Sequence, residues 1–234
     1  MNELVIVDYG MGNLRSVSKA FEKVGARVKI SDDPKTVSSA ERLVVPGVGA
    51  FKDAMRQLKR RGLTEAIHEF VDKGRPFLGL CLGLQLIFFD SEEGGINKGL
   101  GFIEGKVLKF PKRPLTMEEG APPLKIPHMG WNQIRIDGQR TAHSRQKKNL
   151  NAKRYMLNAE KMCPLLKGIP DGSYMYFVHS YYAEPEDDDC VAAWTDYGIE
   201  FPSVVWSRNI YATQFHPEKS QKLGLEILRN FMKI

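Results

Sequence analysis

A short apolar run that ends in a cysteine framed by two glycines constrains this chain more than any other stretch. Residues 76–80 read as a strand, and Gly79-Leu80-Cys81-Leu82-Gly83 leads from it into a helical pattern over 82–90. Gly-x-Cys-x-Gly between a strand and a helix is the cysteine form of a nucleophile elbow. The turn is tight, and glycine on either side leaves room where a side chain would clash. The cysteine then projects from a strand end at a helix start, where negative charge is favoured, and the N–H of Leu82 is placed to stabilise an oxyanion. A cysteine after a strand is equally compatible with a small packed residue. The elbow alone leaves both readings open.

The surrounding pattern supplies the sheet that an elbow needs. Residues 4–9, 27–31 and 42–45 are further strand-like runs. Between them, Leu14, Val17, Ala20, Phe21 and Val24 recur at helical spacing, as do Phe51, Met55 and Leu58, and then Leu63, Ala66, Ile67 and Phe70. Such alternation predicts an α/β fold, with a mixed, mostly parallel central sheet and helices on both faces. After about residue 99, strand-like runs dominate: 105–110, 132–136, 174–183, 190–195 and 201–206. These predict antiparallel additions in the C-terminal half. Residues 211–215 form one more strand, and Leu223, Ile227, Leu228 and Phe231 mark a closing helix.

A second element of chemistry sits at that late strand. In Phe215-His216-Pro217-Glu218 a histidine and a carboxylate stand two residues apart, and strand alternation predicts that both point one way. Glu218 then orients His216, and with Cys81 the set has a nucleophile, a base and an orienter. His-x-Glu by itself is commonly a surface pair, so its weight comes from occurring with the elbow. Pro46-Gly47-Val48-Gly49, where a strand meets a helix, suits backbone donors for an oxyanion, although a βα turn needs glycine for geometry alone.

Taken together these motifs resemble the class I, or triad, glutamine amidotransferase family over nearly the whole chain. More narrowly, the chain resembles the glutaminase subunits of imidazole glycerol phosphate synthases. The narrowing residues are Asp8-Tyr9-Gly10-Met11-Gly12-Asn13-Leu14, Pro127-His128-Met129-Gly130-Trp131-Asn132, Tyr176-Phe177-Val178-His179-Ser180-Tyr181 and His216-Pro217-Glu218-Lys219-Ser220. The resemblance implies that Cys81 attacks the glutamine amide, His216 moves the protons and Glu218 holds His216. It implies an oxyanion strand at Gly47, Val48 and Gly49 acting with Leu82. Glutamine would be held by Gln85 and by the backbone of His179, Ser180 and Tyr181. It further implies a heterodimer with a barrel-shaped cyclase subunit that receives the ammonia, met at Asn13, Met129, Trp131, Asn132, Tyr176 and Lys219. A paralogue supplying ammonia to a surface-sugar amidotransferase is the alternative acceptor. An inactive homologue would be expected to lack a triad member, and a cysteine peptidase would not be expected to match at Gln85 and 179–181.

Composition excludes several other classes. The net charge is +6, but residues 139–161 hold Arg140, Arg145, Lys147, Lys148, Lys153, Arg154 and Lys161 against Glu160 alone. That segment carries the entire excess, which reads as a basic surface insertion in a single domain of residues 1–234 and not as a nucleic-acid-binding domain. No apolar run reaches the roughly 20 residues that span a membrane, and the N-terminus has no secretory pattern. Cys81, Cys163 and Cys190 form no CxxC pair, so the expectation is a cytoplasmic protein without a metal site or a disulfide framework. Gly10-Met11-Gly12 lacks the third glycine of a dinucleotide fingerprint, so no cofactor is expected. His68, His128, His143 and His179 are not triad candidates.

Overall fold

The structure, a computed structural model, describes residues 3–113, 122–136 and 162–234. The N-terminal half alternates β1 (Glu3–Val7), α1 (Leu14–Lys23), β2 (Arg27–Ser31), α2 (Pro34–Ser39) and β3 (Leu43–Gly47). After these come α3 (Phe51–Arg60), α4 (Leu63–Asp72), β4 (Phe77–Cys81) and α5 (Leu82–Leu86). Every residue of β3 and β4 is buried, as expected of parallel strands covered on both faces. The remainder is mostly strand: β5 (Phe88–Ser91), β6 (Asn97–Lys98), β7 (Ile103–Lys109), β8 (His128–Gln133), β9 (Arg135–Ile136), β10 (Tyr174–His179), β11 (Tyr181–Pro185), β12 (Val191–Asp196), β13 (Glu200–Ser207) and β14 (Ile210–Thr213). The chain closes with α6 (Gln221–Phe231).

The main sheet runs β2-β1-β3-β4-β14-β13-β12-β9. The first five strands in that order are parallel. The last three add antiparallel. Side-chain alternation divides the core between the two faces. Val5, Val7, Leu43, Val45 and Phe77 pack under α2, α3, α4 and α5. Leu4, Ile6, Val44, Leu78 and Leu80 pack under α1 and α6. Helix α1 starts where the Asn13 side chain accepts from the Ser16 N–H, an N-cap. Its Phe21 meets Phe231 of α6 edge-on at 6.3 Å, so the two helices share one apolar seam.

The mixed α/β architecture is as expected, with four differences in detail. First, apolar periodicity does not single out α2, although Asp33 caps it by accepting from Lys35 and Thr36 and Pro34 opens it. Second, the helix expected over 82–90 ends at Leu86. Leu100, Phe102 and Ile103 donate to the carbonyls of Leu86 and Ile87, so Phe88 and Phe89 leave as a strand paired with β7. Third, the antiparallel additions do not all join the main sheet. Strands β11-β7-β5-β6 form a second sheet, and β10-β8 form a two-stranded ribbon. Fourth, the single strand expected over 174–183 is cut at Ser180, because β10 pairs with β8 while β11 pairs with β7. The insertion at 139–161 lies outside the described residues.

The elbow is held by two backbone approaches. A Cβ on Gly83 would lie 2.0 Å from the Val45 carbonyl oxygen, and one on Gly79 would lie 2.6 Å from the Gly83 oxygen. Gly83→Ala therefore has to push α5 off β3. It should cost about 1–3 kcal/mol, the range of an overpacked core, and should carry Cys81 out of place. Phe21→Ala should destabilise more, by about 3–5 kcal/mol, while leaving the elbow intact. Urea unfolding of the two variants checks the order.

Candidate active site

Sheet register brings the functional segments together at the C-terminal ends of the central strands. Gly47 of β3 stands opposite Cys81 of β4, and Thr213 of β14 stands opposite Leu80. The chain following β14 therefore delivers Gln214 and His216 beside the sulfur. Cys81 itself has φ 53° and ψ −102°, in the left-handed half of the map that costs a non-glycine residue about 1–3 kcal/mol. The packing of Gly79 and Gly83 described above holds it there.

Glu218 accepts from His216 Nδ1 at 2.9 Å, and both side chains are almost wholly buried. The pairing does not arise from strand alternation as expected. Residues Pro217–Lys219 form a 3-10 turn that folds Glu218 back under the ring. This turn is tied to β10: His216 N–H donates to the Tyr176 carbonyl at 2.9 Å. The Ser220 hydroxyl donates to the His216 carbonyl at 2.7 Å and accepts from Tyr176 N–H at 3.0 Å. Burial alone would push His216 down, but the adjoining Cys81 sulfur and the Glu218 carboxylate outweigh it and push the ring up to about 10. The positive charge facing the sulfur thus comes from His216. Helix α5 has only five residues and contributes little of the macrodipole expected there.

Of the residues expected to hold glutamine, Gln85 and the Tyr181 carbonyl come together near Cys81, whereas the Ser180 carbonyl accepts from Phe110 N–H at 3.1 Å. Cys81 Sγ donates to the Val178 carbonyl at 3.7 Å. Gln85 Nε2 donates to the Tyr181 carbonyl at 2.9 Å and to Gln214 Oε1 at 3.2 Å. Gln214 Nε2 in turn donates to Cys81 Sγ at 3.7 Å. The carbonyls of residues 178 and 181, on either side of the break at Ser180, thus both face the Cys81–Gln85 cluster. Sequence reasoning misses Gln214 and Val178. The signal for Gln214 is an amide inside an apolar run, and it is fully buried.

Most of the residues expected at a partner surface lie together on one face, but the Asn132 amide turns to the inner side of β8, onto His128 and the Asp196 carbonyl. Trp131 stands opposite Tyr176, and Met129 opposite Val178, in the β8–β10 ribbon. The rings of Trp131 and Tyr176 meet edge-on at 5.8 Å, and Lys219 Nζ lies 5.8 Å over Tyr176. Met129, Trp131, Asn13 and Lys219 are exposed, whereas Asn132 and Tyr176 are half-buried. Asn13 shares a small cleft with Gly47, exposed Val48, His216 and Glu218, so this face adjoins the triad. Gly49 has a positive φ of 99° and Leu82 is buried beside Gly47, which puts the four expected oxyanion residues next to one another.

Comparison with known proteins gives the family and the fold. The family described as glutamine amidotransferase class-I matches residues 5–234. The imidazole glycerol phosphate synthase subunit HisH of Syntrophotalea carbinolica is 52% identical over 97% of this chain and 98% of its own length. The protein of that name from Geobacter sulfurreducens is 48% identical over 99% and 98%. Among solved structures, PurLQS from Thermotoga maritima aligns with a TM-score of 0.66 at 14% identity, over 99% of this chain and 95% of that one. A second solved structure, of a glutamine amidotransferase, aligns with a TM-score of 0.66 at 15% identity, over 98% of this chain and 99% of that one. These two show the shared fold. By its family match and its near full-length relatives, the chain belongs to the class I glutamine amidotransferase family.

Proposed function

We propose that this chain is the glutaminase subunit of an imidazole glycerol phosphate synthase, a single amidotransferase domain working in the cytoplasm beside a barrel-shaped cyclase. The observation that carries the reading is the convergence of Cys81, His216 and Glu218 beside Gly47 and Gln85. Near full-length identity of 52% and 48% to proteins named as that subunit favours the histidine-pathway acceptor over a sugar-aminating one.

The chemistry follows from the geometry. The Cys81 sulfur attacks the side-chain carbonyl carbon of glutamine. Negative charge develops on the carbonyl oxygen, where the N–H groups of 47–49 and Leu82 stabilise it. His216, kept protonated by the Cys81 sulfur and the Glu218 carboxylate beside it, gives its proton to the departing nitrogen. Ammonia leaves neutral, and a glutamyl thioester remains. The now neutral ring takes a proton from water, which attacks the thioester. The sulfur departs as thiolate and glutamate as carboxylate; one proton stays on His216 and the other passes to solvent. Glu218 holds the ring in the tautomer that serves both steps. Ammonium is not a nucleophile, so a sealed path from this pocket into the partner keeps the product useful. Met129, Trp131, Tyr176, Asn13 and Lys219 are the surface we assign to that partner, since aromatic and methionine anchors suit an interface core.

Glutamate release should rise strongly when the cyclase and its nucleotide substrate are both added. A rate indifferent to the cyclase would redirect the acceptor assignment while leaving the glutaminase intact. Cys81→Ser should reduce hydrolysis to background, and Glu218→Gln should lower kcat by roughly 10²-fold or more, the scale of a disabled acid–base partner. The pH behaviour has a definite sign. A raised histidine pKa stabilises the fold fully below the ordinary value near 6.5 and loses that contribution as pH rises from there through about 10. Hydrolysis and stability should therefore both decline on the alkaline side. In Cys81→Ser the ring loses the push of the sulfur and should titrate lower than in the wild type, which ring-proton NMR reads directly.

A further inference from the structure

Two histidines that take no part in the triad are buried side by side between the cradle and the partner-facing ribbon. His128 Nδ1 and His179 Nε2 are 3.1 Å apart, and His179 Nδ1 is 2.8 Å from the Tyr181 carbonyl. At the other end, the Asn132 amide nitrogen lies 3.3 Å from His128 Nε2. Burial pushes His128 down to about 4 and His179 to about 3, so both rings are neutral at ordinary pH. Each then carries one proton, and the partners decide where it sits. A carbonyl only accepts, so His179 holds its proton on Nδ1 and accepts at Nε2. His128 must supply that proton from its own Nδ1, and its Nε2 accepts from Asn132.

Asn132 has no freedom to reverse the chain. Its nitrogen also donates to the Asp196 carbonyl at 2.8 Å, while its oxygen accepts from Gln133 N–H at 2.8 Å. The rings are clamped by aromatics as well. His128 is stacked between Tyr197, at 4.0 Å, and Phe177, at 5.0 Å, and Phe201 packs against both histidines. Donors in such an apolar cage have no water to turn to, which makes a satisfied chain rigid and a broken one costly. The chain ends on Tyr181 O, the oxygen that also receives Gln85, and Gln85 leads through Gln214 to the Cys81 sulfur.

We infer that Asn132, His128 and His179 form a one-directional positioning relay that sets the Tyr181 carbonyl, and through it Gln85, for glutamine binding, and that ties this setting to strand β8. Alternation along β8 puts His128 and Asn132 on its inner face and Met129 and Trp131 on its outer face. A partner seated on the outer face therefore bears on the strand that starts the relay. Neither histidine touches the reacting atoms; both act through the cradle.

The inference rests on the glutaminase reading, and the test separates the two. In the complex with the cyclase, His128→Phe keeps a flat ring but removes the donor, whereas His128→Asn keeps a donor close to the Nδ1 position. His128→Phe should raise KM for glutamine about tenfold, the scale of one lost buried hydrogen bond. Product formation from added ammonium should be unchanged, and His128→Asn should restore most of the KM. An unchanged KM in His128→Phe, or equal damage in both variants, overturns the relay. Nitrogen-15 NMR of the wild type gives a second reading that no variant's folding affects. Protons on Nδ1 of both His128 and His179 support the relay, and an Nε2 proton on either ring overturns it. A wild-type complex that releases no glutamate would refute the glutaminase reading, and the ring tautomers would still decide the relay.

Discussion

The close approach of α5 to the ends of β3 and β4 is the constraint on which the site depends. With no side chain on residue 83, the helix backbone comes against the Val45 carbonyl, and the chain must reverse within one residue. That residue is Cys81, held at a positive φ of 53°. The strain is supported by packing on both sides: all of β4 and all of α5 are buried. The candidate nucleophile is therefore fixed by the fold and not by its own preferences. The same approach places Leu82 against Gly47, where a Cβ would lie 2.7 Å from the Leu82 Cβ. One steric condition thus sets both the sulfur and the strand beside it.

Parallel register then assembles the rest. Because β3, β4 and β14 lie side by side in the same direction, their C-terminal ends deliver Gly47, Cys81 and the segment leading to His216 at one edge. The antiparallel ribbon of β8 and β10 closes this edge from the other side, and the turn that carries Glu218 is bonded to it at Tyr176. The candidate base, the proposed glutamine cradle and the aromatics proposed to meet a partner consequently share one small set of backbone hydrogen bonds. A shift of the ribbon is felt at all three.

What can be read from the sequence is what is local. The elbow spans five residues and carries its glycines within it, so its geometry is legible. The His216–Glu218 pair is legible as a pairing, though a 3-10 turn and not strand alternation produces it. The parallel core follows from periodicity. The break at Ser180 is not legible, because a uniform run of β-formers does not say that its halves pair with different strands. The end of α5 at Leu86 is hidden for the same reason: its competitors are the N–H groups of Leu100, Phe102 and Ile103. Gln214 escapes notice because its partners, Gln85 and Cys81, are more than a hundred residues away. The glycines of 47–49 suit an oxyanion strand and a plain βα turn equally, and the interface residues come from resemblance alone, since nothing in their spacing demands that role.

Two glutamine side chains, Gln85 and Gln214, lie beside the Cys81 sulfur in the proposed glutaminase site, which raises the question of self-reaction. Gln214 lies against the sulfur proposed to open such amides. It turns its nitrogen to Cys81 and its oxygen to Gln85, so the carbonyl carbon is not the atom presented to attack. The bond between the two amides prevents the flip that would reverse this. Gln85 is likewise committed through both hydrogens of its nitrogen, to Tyr181 and to Gln214. The protein thus distinguishes its own amides from the incoming one by orientation, since their chemistry is the same.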